Sequence, residues 1–260
     1  MPYIAINNFK CHYNLQGHGE PLLLVHGLGE NLTSWEFQLE ELSQYYTVIA
    51  LDLRGHGRSE VGEDDISLKL MAEDIKELIK SLKLAPVHLC GLSMGGIIAQ
   101  LFAAQYPKDV KSLILVDTNA YVPEKLVAKV LPQRLDFIEE NSMEDVGKYM
   151  AGLCLGPDAS ANLLTRVAQM FTSNNKDIYS KLTAQVMQAD CRTILEKINS
   201  PTLIIVGELD KVTPVATSEF LHINIPASTL HIIPHAGHLT KLEAPEEFNK
   251  AVVDFIQQIN

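Results

Sequence analysis

Two kinds of apolar pattern divide the 260-residue chain. The first is a short, almost unbroken apolar run, as in Pro21-Leu22-Leu23-Leu24-Val25, Tyr46-Thr47-Val48-Ile49-Ala50-Leu51 and Val110-Lys111-Ser112-Leu113-Ile114-Leu115-Val116-Asp117. Such runs predict strands covered on both faces, because a strand with one wet face alternates apolar and polar residues. Residues 201–207 and 229–233 repeat this pattern. The second kind recurs every three or four residues, as in Leu68, Met71, Ile75, Leu78, Ile79 and Leu82. That stripe predicts an amphipathic helix laid on a sheet. Alternation of the two predicts an α/β fold: a mostly parallel sheet of about eight strands, flanked by helices and joined by right-handed crossovers.

Two departures from the alternation carry information. Near the start, β-like runs at residues 3–6 and 11–15 flank Asn7-Asn8, a turn signal that predicts an antiparallel hairpin at one sheet edge. Between Asp117 and Pro201 the strand pattern stops, and the segment reads as helices broken at Pro123, Pro132 and Gly156-Pro157. Its apolar residues, among them Leu126, Val130, Met150, Val167 and Phe171, are too many for a solvated linker. Residues 119–198 are therefore read as a helical lid inserted into a core domain made of residues 1–118 and 199–260. Pro245 then opens a last helix that carries Phe248, Val252, Phe255 and Ile256 on one face.

Candidate chemistry centres on the apolar run from Val87, which enters Gly91-Leu92-Ser93-Met94-Gly95-Gly96 and continues into a helical stretch stopped by Pro107. Composition alone yields a G-x-S-x-G match in about one such chain in twenty, so the strand before it and the helix after it matter more than the pattern itself. A serine hydroxyl becomes a nucleophile when a base removes its proton and a third group holds that base in one tautomer. Glu208-Leu209-Asp210 follows the strand ending at Gly207, and Pro234-His235-Ala236-Gly237-His238 follows the last strand. The order Ser93, Asp210, His238 thus places nucleophile, acid and base beyond the carboxyl ends of three strands. Asp117, also at a strand end, is the reserve candidate for the acid.

Charge narrows the partners. A net charge of −11 and a pI near 5.2 argue against nucleic acid, which demands clustered cations. Cys11, Cys90, Cys154 and Cys191 are scattered without a C-x-x-C pair and read as free buried thiols. The first residues have neither a basic leader nor an apolar core, which gives a cytoplasmic location as the expectation. The most membrane-like stretch, residues 86–106, is interrupted by glycines, His88 and Gln100, so no membrane partner is expected. His231, His235 and His238 lack acid or thiol partners at ligand spacing, so neither a metal nor another cofactor is expected.

Taken together, these motifs resemble the α/β-hydrolase superfamily over nearly the whole chain. His26-Gly27-Leu28-Gly29 resembles its oxyanion loop, and Asp52 to Ser59 its D-x-R-G-H-G-x-S loop. G-L-S-M-G-G resembles its nucleophile elbow, Gly207 to Pro214 its acid loop, and Ala236-Gly237-His238 its base loop. Within the superfamily the chain is most similar to the 3-oxoadipate enol-lactonase and carboxylesterase-like branch. The resemblance implies an oxyanion hole built from the backbone N–H groups of Leu28 and Met94, and acyl transfer from a small ester or lactone to water by Ser93, His238 and Asp210. It also leaves three rivals on the same fold: a carbon–carbon bond hydrolase of the meta-cleavage type, a perhydrolase or acyltransferase, and a ligand-sensing receptor.

Other residues divide between bland and functional readings. His26, Asp52, Arg54, His56 and Arg58 read mainly as loop braces. Trp35, the single tryptophan, lines the pocket on one reading and anchors the core on the other. Arg134, Arg166 and Arg192 either hold a substrate carboxylate or are solvated lid charges. Oligomeric state and the identity of the substrate are left open.

Overall fold

A computed structural model describes residues 2–259. The chain opens with the antiparallel pair β1 (Tyr3–Ile6) and β2 (Phe9–Gln16). They are joined by Asn7 and Asn8, both at positive φ (38° and 62°), which asparagine tolerates better than bulkier residues and which suits the twist of a tight hairpin. Then follow β3 (Pro21–Val25), α1 (Glu36–Leu42), β4 (Thr47–Leu51), α2 (Leu68–Ser81), β5 (Val87–Leu92), α3 (Met94–Gln105) and β6 (Val110–Val116). Four helices come next: α4 (Glu124–Glu140), α5 (Met143–Cys154), α6 (Ala161–Thr172) and α7 (Lys176–Gln188). The chain closes with β7 (Thr202–Gly207), α8 (Val215–Asn224), β8 (Ser228–Ile233), α9 (Thr240–Glu243) and α10 (Pro245–Gln258).

The eight strands form one sheet in the order β1-β2-β4-β3-β5-β6-β7-β8, with the hairpin at one edge and every pair from β4 to β8 parallel. Period-two alternation sends each apolar run into two cores. Leu23, Val25, Leu89, Leu113 and Leu115 pack with Met71, Ile75, Leu78, Ile98 and Phe102 of α2 and α3 on one face. Leu22, Leu24, Cys90, Leu92, Ile114 and Val116 pack with Leu39 and Leu42 of α1 and Phe248, Val252 and Phe255 of α10 on the other. Each such fully buried side chain contributes about 1.5–3 kcal/mol, so the central strands hold the site rigidly.

All four consecutive helices lie between β6 and β7, where the strand pattern is missing, and they rest on the loops at the carboxyl ends of the strands. Asn174 donates to Gly29 O at 2.9 Å, and His238 N donates to Cys154 O at 2.6 Å. One detail differs from expectation. Pro132 does not break its helix: α4 runs through it from Glu124 to Glu140. Pro132 and Ala128, whose carbonyl the missing N–H would have met, are both exposed, so the freed carbonyl is left open to solvent rather than buried. All four cysteines are buried and free. Among the described residues no helix is long and apolar enough to cross a membrane.

Candidate active site

Ser93 sits at the junction of β5 and α3, and its backbone is strained, with φ 53° and ψ −115°. A non-glycine residue pays about 1–3 kcal/mol for such a conformation and holds it only where the surroundings enforce it. The enforcement is visible. Ser93 N donates to Val116 O at 2.9 Å, and Thr118 Oγ1 donates to Ser93 O at 2.8 Å. A Cβ on Gly91 would lie 2.2 Å from Gly95 O, and one on Gly95 would lie 2.4 Å from Val25 O and 2.7 Å from His26 O. Both glycines are thus required by close approach, which draws the start of α3 against the end of β3. The Ser93 hydroxyl makes no hydrogen bond among the described residues.

The expected acid and base meet. Asp210 Oδ2 lies 2.8 Å from His238 Nδ1, with both side chains buried. Asp210 Oδ1 accepts from Val212 N at 2.7 Å and Thr213 N at 2.9 Å, while Oδ2 also accepts from Thr213 Oγ1 at 2.7 Å. Burial raises the Asp210 pKa, but His238 and the donors of Thr213 outweigh it and hold the carboxyl below its usual value. For His238 burial pulls the other way, and Asp210, reinforced by Asp117 and Glu30, leaves the ring above its ordinary 6.5. With Nδ1 facing the carboxylate, the proton belongs on Nδ1 and Nε2 is the basic nitrogen.

Asp117, the reserve acid, is fully buried but turned elsewhere. Its Oδ1 accepts from Gly207 N at 3.0 Å, and its Oδ2 accepts from Thr240 N at 3.1 Å and Thr240 Oγ1 at 2.7 Å. It ties the end of β6 to β7 and to the segment after His238. Burial, with the nearby Asp210, pushes its carboxyl well above the normal range. Glu243 steadies the base loop from the other side, accepting from Gly237 N at 3.0 Å and Gly156 N at 2.6 Å.

The loop after β3 lies against the elbow: a Cβ on Gly27 would come within 3.4 Å of Ser93 Cβ. The backbone N–H groups of Leu28 and Met94 donate to no acceptor among the described residues. Vacant donors beside a strained serine are of the kind that can hold a developing oxyanion. Behind them His26 Nε2 accepts from Leu53 N at 3.0 Å and Nδ1 meets Gly27 O at 2.8 Å, which assigns the neutral Nδ1–H tautomer. Burial, aided by His56, lowers the His26 pKa to about 3, consistent with that neutral ring. Asp52 accepts from Leu32 N at 2.7 Å and Arg58 N at 2.8 Å, and Arg54 grips Asp74 at 2.7 Å and 2.8 Å. These residues brace loops, as the sequence reading had it.

The remaining candidates separate. Trp35 is fully buried, with its ring 6.2 Å from Phe248 and Lys241 Nζ 4.3 Å over its face, a geometry that serves the core rather than a pocket. Arg166 pairs with Glu36, and Arg192 pairs with Asp190 at 2.5 Å. Arg134 has no carboxylate partner among the described residues, and its nearest polar contact is Met150 Sδ at 3.7 Å. It faces a cavity of about 230 Å³ between α4, α5 and α7, walled by Val130, Phe137, Ile138, Met150 and Tyr179. Sequence reasoning missed Thr213, Glu30, Lys241 and Glu243. Thr213, three residues beyond Asp210, and Glu243, five beyond His238, stood within one loop's reach of the acid and the base, whereas the pairing of Glu30 with Lys241 spans 211 positions.

Known proteins place the chain among relatives. The family described as alpha/beta hydrolase fold matches residues 20–245. 3-Oxoadipate enol-lactonase 2 of Acinetobacter baylyi is 28% identical over 242 residues, covering 92% of this chain and 89% of that protein. Serine hydrolase BPHL of Homo sapiens is 29% identical over 262 residues, covering 98% and 85%. Among solved structures, a thermophilic esterase from Thermogutta terrifontis with malate bound has a TM-score of 0.92 at 27% identity, covering 100% of this chain and 99% of that one. The enol-lactonase from Burkholderia xenovorans has a TM-score of 0.91 at 26% identity, covering 98% and 100%. The family match spans most of the chain, from the end of the hairpin to the start of α10: the chain belongs to the alpha/beta hydrolase family.

Proposed function

We propose that the chain hydrolyses a small carboxylic ester or lactone through an acyl-enzyme on Ser93. The observation that carries this reading is the Asp210–His238 contact of 2.8 Å beyond the carboxyl ends of β7 and β8, in the same sheet whose β5 presents Ser93 in a strained turn. His238 Nε2 takes the Ser93 proton as Oγ forms a bond to the substrate carbonyl carbon. The carbonyl π electrons move onto oxygen, which the Leu28 and Met94 amides hold. Collapse breaks the acyl–oxygen bond while His238 returns the proton to the leaving alkoxide. Water repeats the sequence and frees the acid. Asp210 keeps the imidazole in the Nδ1–H tautomer and offsets its positive charge between the two transfers.

Residues 119–198 serve in this proposal as the lid that excludes water and shapes the acyl site. Enol-lactonases and esterases among the relatives support an ester or lactone carbonyl as the target. Arg134, without a carboxylate partner among the described residues at a largely apolar cavity of that lid, supports a substrate that carries its own carboxylate. The test is covalent labelling with an organophosphonate followed by mass spectrometry. An adduct on Ser93 that tracks loss of esterase activity is the expected result. Ester cleavage that continues with Ser93 unlabelled would sink the proposal.

A further inference from the structure

A buried ion pair outside the acid–base couple joins the two loops that the proposed chemistry needs to keep in register. Glu30 and Lys241 are 2% and 0% exposed, and Lys241 Nζ lies 3.1 Å from Glu30 Oε1 and 3.3 Å from Oε2. Glu30 Oε2 in turn accepts the Gly27 N–H at 2.9 Å, one peptide before the vacant Leu28 amide. The same ammonium donates to Ser34 O at 3.1 Å and lies over the Trp35 ring, so the loop from Gly27 to Trp35 is gathered round one cation. Lys241 follows His238 by three residues, and between them Thr240 is fastened to Asp117 by both its N–H and its hydroxyl. Gln38 Nε2 fixes the Lys241 carbonyl at 3.1 Å, and α10 begins four residues later.

Burial alone does not justify such a pair. Taking two charges out of water costs more than their attraction returns unless further hydrogen bonds are satisfied, and a well-packed apolar pair is often as stable. What an apolar pair would not supply is an acceptor for the Gly27 N–H. Nor would a lone carboxylate serve, because it would stand near the place where the substrate oxygen turns negative: a Cβ on Gly27 would lie 3.4 Å from both Glu30 Oε2 and Ser93 Cβ. In a dry site an uncompensated anion there opposes the charge that the Leu28 and Met94 amides are placed to favour. Lys241 supplies the compensation from the base-bearing segment itself.

We propose that Glu30 and Lys241 are positioning residues for the oxyanion loop: the carboxylate sets the Gly27–Leu28 peptide, and the ammonium cancels its charge while tying that loop to the segment that carries His238. The inference rests on the acyl-enzyme reading above and concerns its transition state, not substrate binding. Positioning of this kind acts on kcat with little effect on KM, because the oxyanion exists only after attack.

The experiment compares wild type, Lys241→Met, Glu30→Gln/Lys241→Met and Glu30→Ala/Lys241→Met, using a p-nitrophenyl ester and a trifluoromethyl ketone whose tetrahedral adduct carries an oxyanion. Lys241→Met is expected to lose about 10- to 100-fold in kcat and in ketone affinity together, with KM within about twofold. Glu30→Gln/Lys241→Met keeps an acceptor for Gly27 N–H without a charge and is expected to recover most of both losses. Glu30→Ala/Lys241→Met, lacking the acceptor, is expected to stay about 10-fold below it. A folded Lys241→Met with unchanged kcat and ketone affinity overturns the inference. If Lys241→Met fails to fold, equal kcat in the two double variants overturns it instead. A wild type that neither binds the ketone nor labels at Ser93 refutes the acyl-enzyme reading itself, a different outcome from a wild type that binds it and variants that bind it equally well.

Discussion

Asp117 and Thr240 are joined twice, through the Thr240 N–H at 3.1 Å and its hydroxyl at 2.7 Å, so the second buried acid of the site faces away from the base that Asp210 meets at 2.8 Å. Two acids at neighbouring strand ends therefore predict two different phenotypes. Asp210→Asn is expected to lower kcat by about 10⁴-fold, far more than any loss of stability accounts for, since the amide favours the wrong His238 tautomer. Asp117→Asn turns an NH₂ group toward either the Gly207 or the Thr240 donors and is expected to cost about 1–3 kcal/mol of stability. Urea unfolding and steady-state kinetics on both variants check the division. Equal effects on activity at equal stability would contradict it.

Ser93 supplies a cleaner separation of activity from stability. Its hydroxyl makes no hydrogen bond among the described residues, so Ser93→Ala removes the proposed nucleophile without orphaning a partner. Activity is expected to drop by about 10⁴-fold or more while stability stays within about 0.5 kcal/mol. Thermal unfolding beside an ester assay reads both quantities.

Acid should silence the enzyme earlier than free histidine would suggest. Despite burial, Asp210 and its neighbours hold His238 above 6.5, and a protonated ring accepts no proton from Ser93. The expected acid limb of kcat/KM therefore has its midpoint above 6.5 and falls as pH drops through it. In Asp210→Asn the main supporting charge is gone and burial dominates, so whatever activity survives should show that limb at lower pH. A pH profile of both forms tests the sign, and an unmoved limb would assign the titration to another group.

Strand and loop order were legible because they are local. Unbroken apolar runs announced β3 to β7, the Asn7-Asn8 pair announced the hairpin, and Asp210 and His238 stood just past predicted strands. Contacts that depend on the closed sheet were not legible. Glu30 and Lys241 are 211 positions apart, and neither has a neighbour in sequence that betrays the other. Residue type is also a poor guide by itself. His88 meets Ser112 at 2.7 Å and Glu20 at 3.1 Å, which repeats the serine–histidine–acid series at the amino ends of the strands. There Ser112 and His88 are fully buried, and Ser112 lies within β6 just after the register shift against β5, so the series ties the start of β3 to β5 and β6. Pro132 taught the converse, since a breaker on an exposed helix face breaks nothing.

Close packing of the elbow makes Gly95 a test of the frame. An added methyl would meet two carbonyl oxygens, Val25 O at 2.4 Å and His26 O at 2.7 Å. Neither can swing aside, because both belong to the backbone at the end of β3. Gly95→Ala is expected to cost about 1–3 kcal/mol by overpacking and to move the Met94 amide away from the oxyanion loop, so kcat should fall in the same variant. Restored activity at low temperature, where the fold is intact, would show that only stability was harmed.

Arg134 offers the sharpest test of substrate class. The other two cap arginines weighed as carboxylate binders are matched by Glu36 and Asp190, while Arg134 faces a largely apolar cavity that it shares with Gln133 and Tyr149, and its one hydrogen-bond contact among the described residues is Met150 Sδ. A hydrogen-bonded charge pair at such a site contributes about 1.5–3 kcal/mol, or roughly 10- to 150-fold in kcat/KM. Arg134→Met preserves much of the side chain's length and apolar stem while removing the charge. It is expected to reduce kcat/KM by that factor for a monoester of a dicarboxylic acid, and to leave a neutral ester of equal chain length within about twofold. Because the two substrates share the reacting carbonyl, a general defect in Ser93 or His238 would lower both rates alike, and only loss of carboxylate recognition separates them.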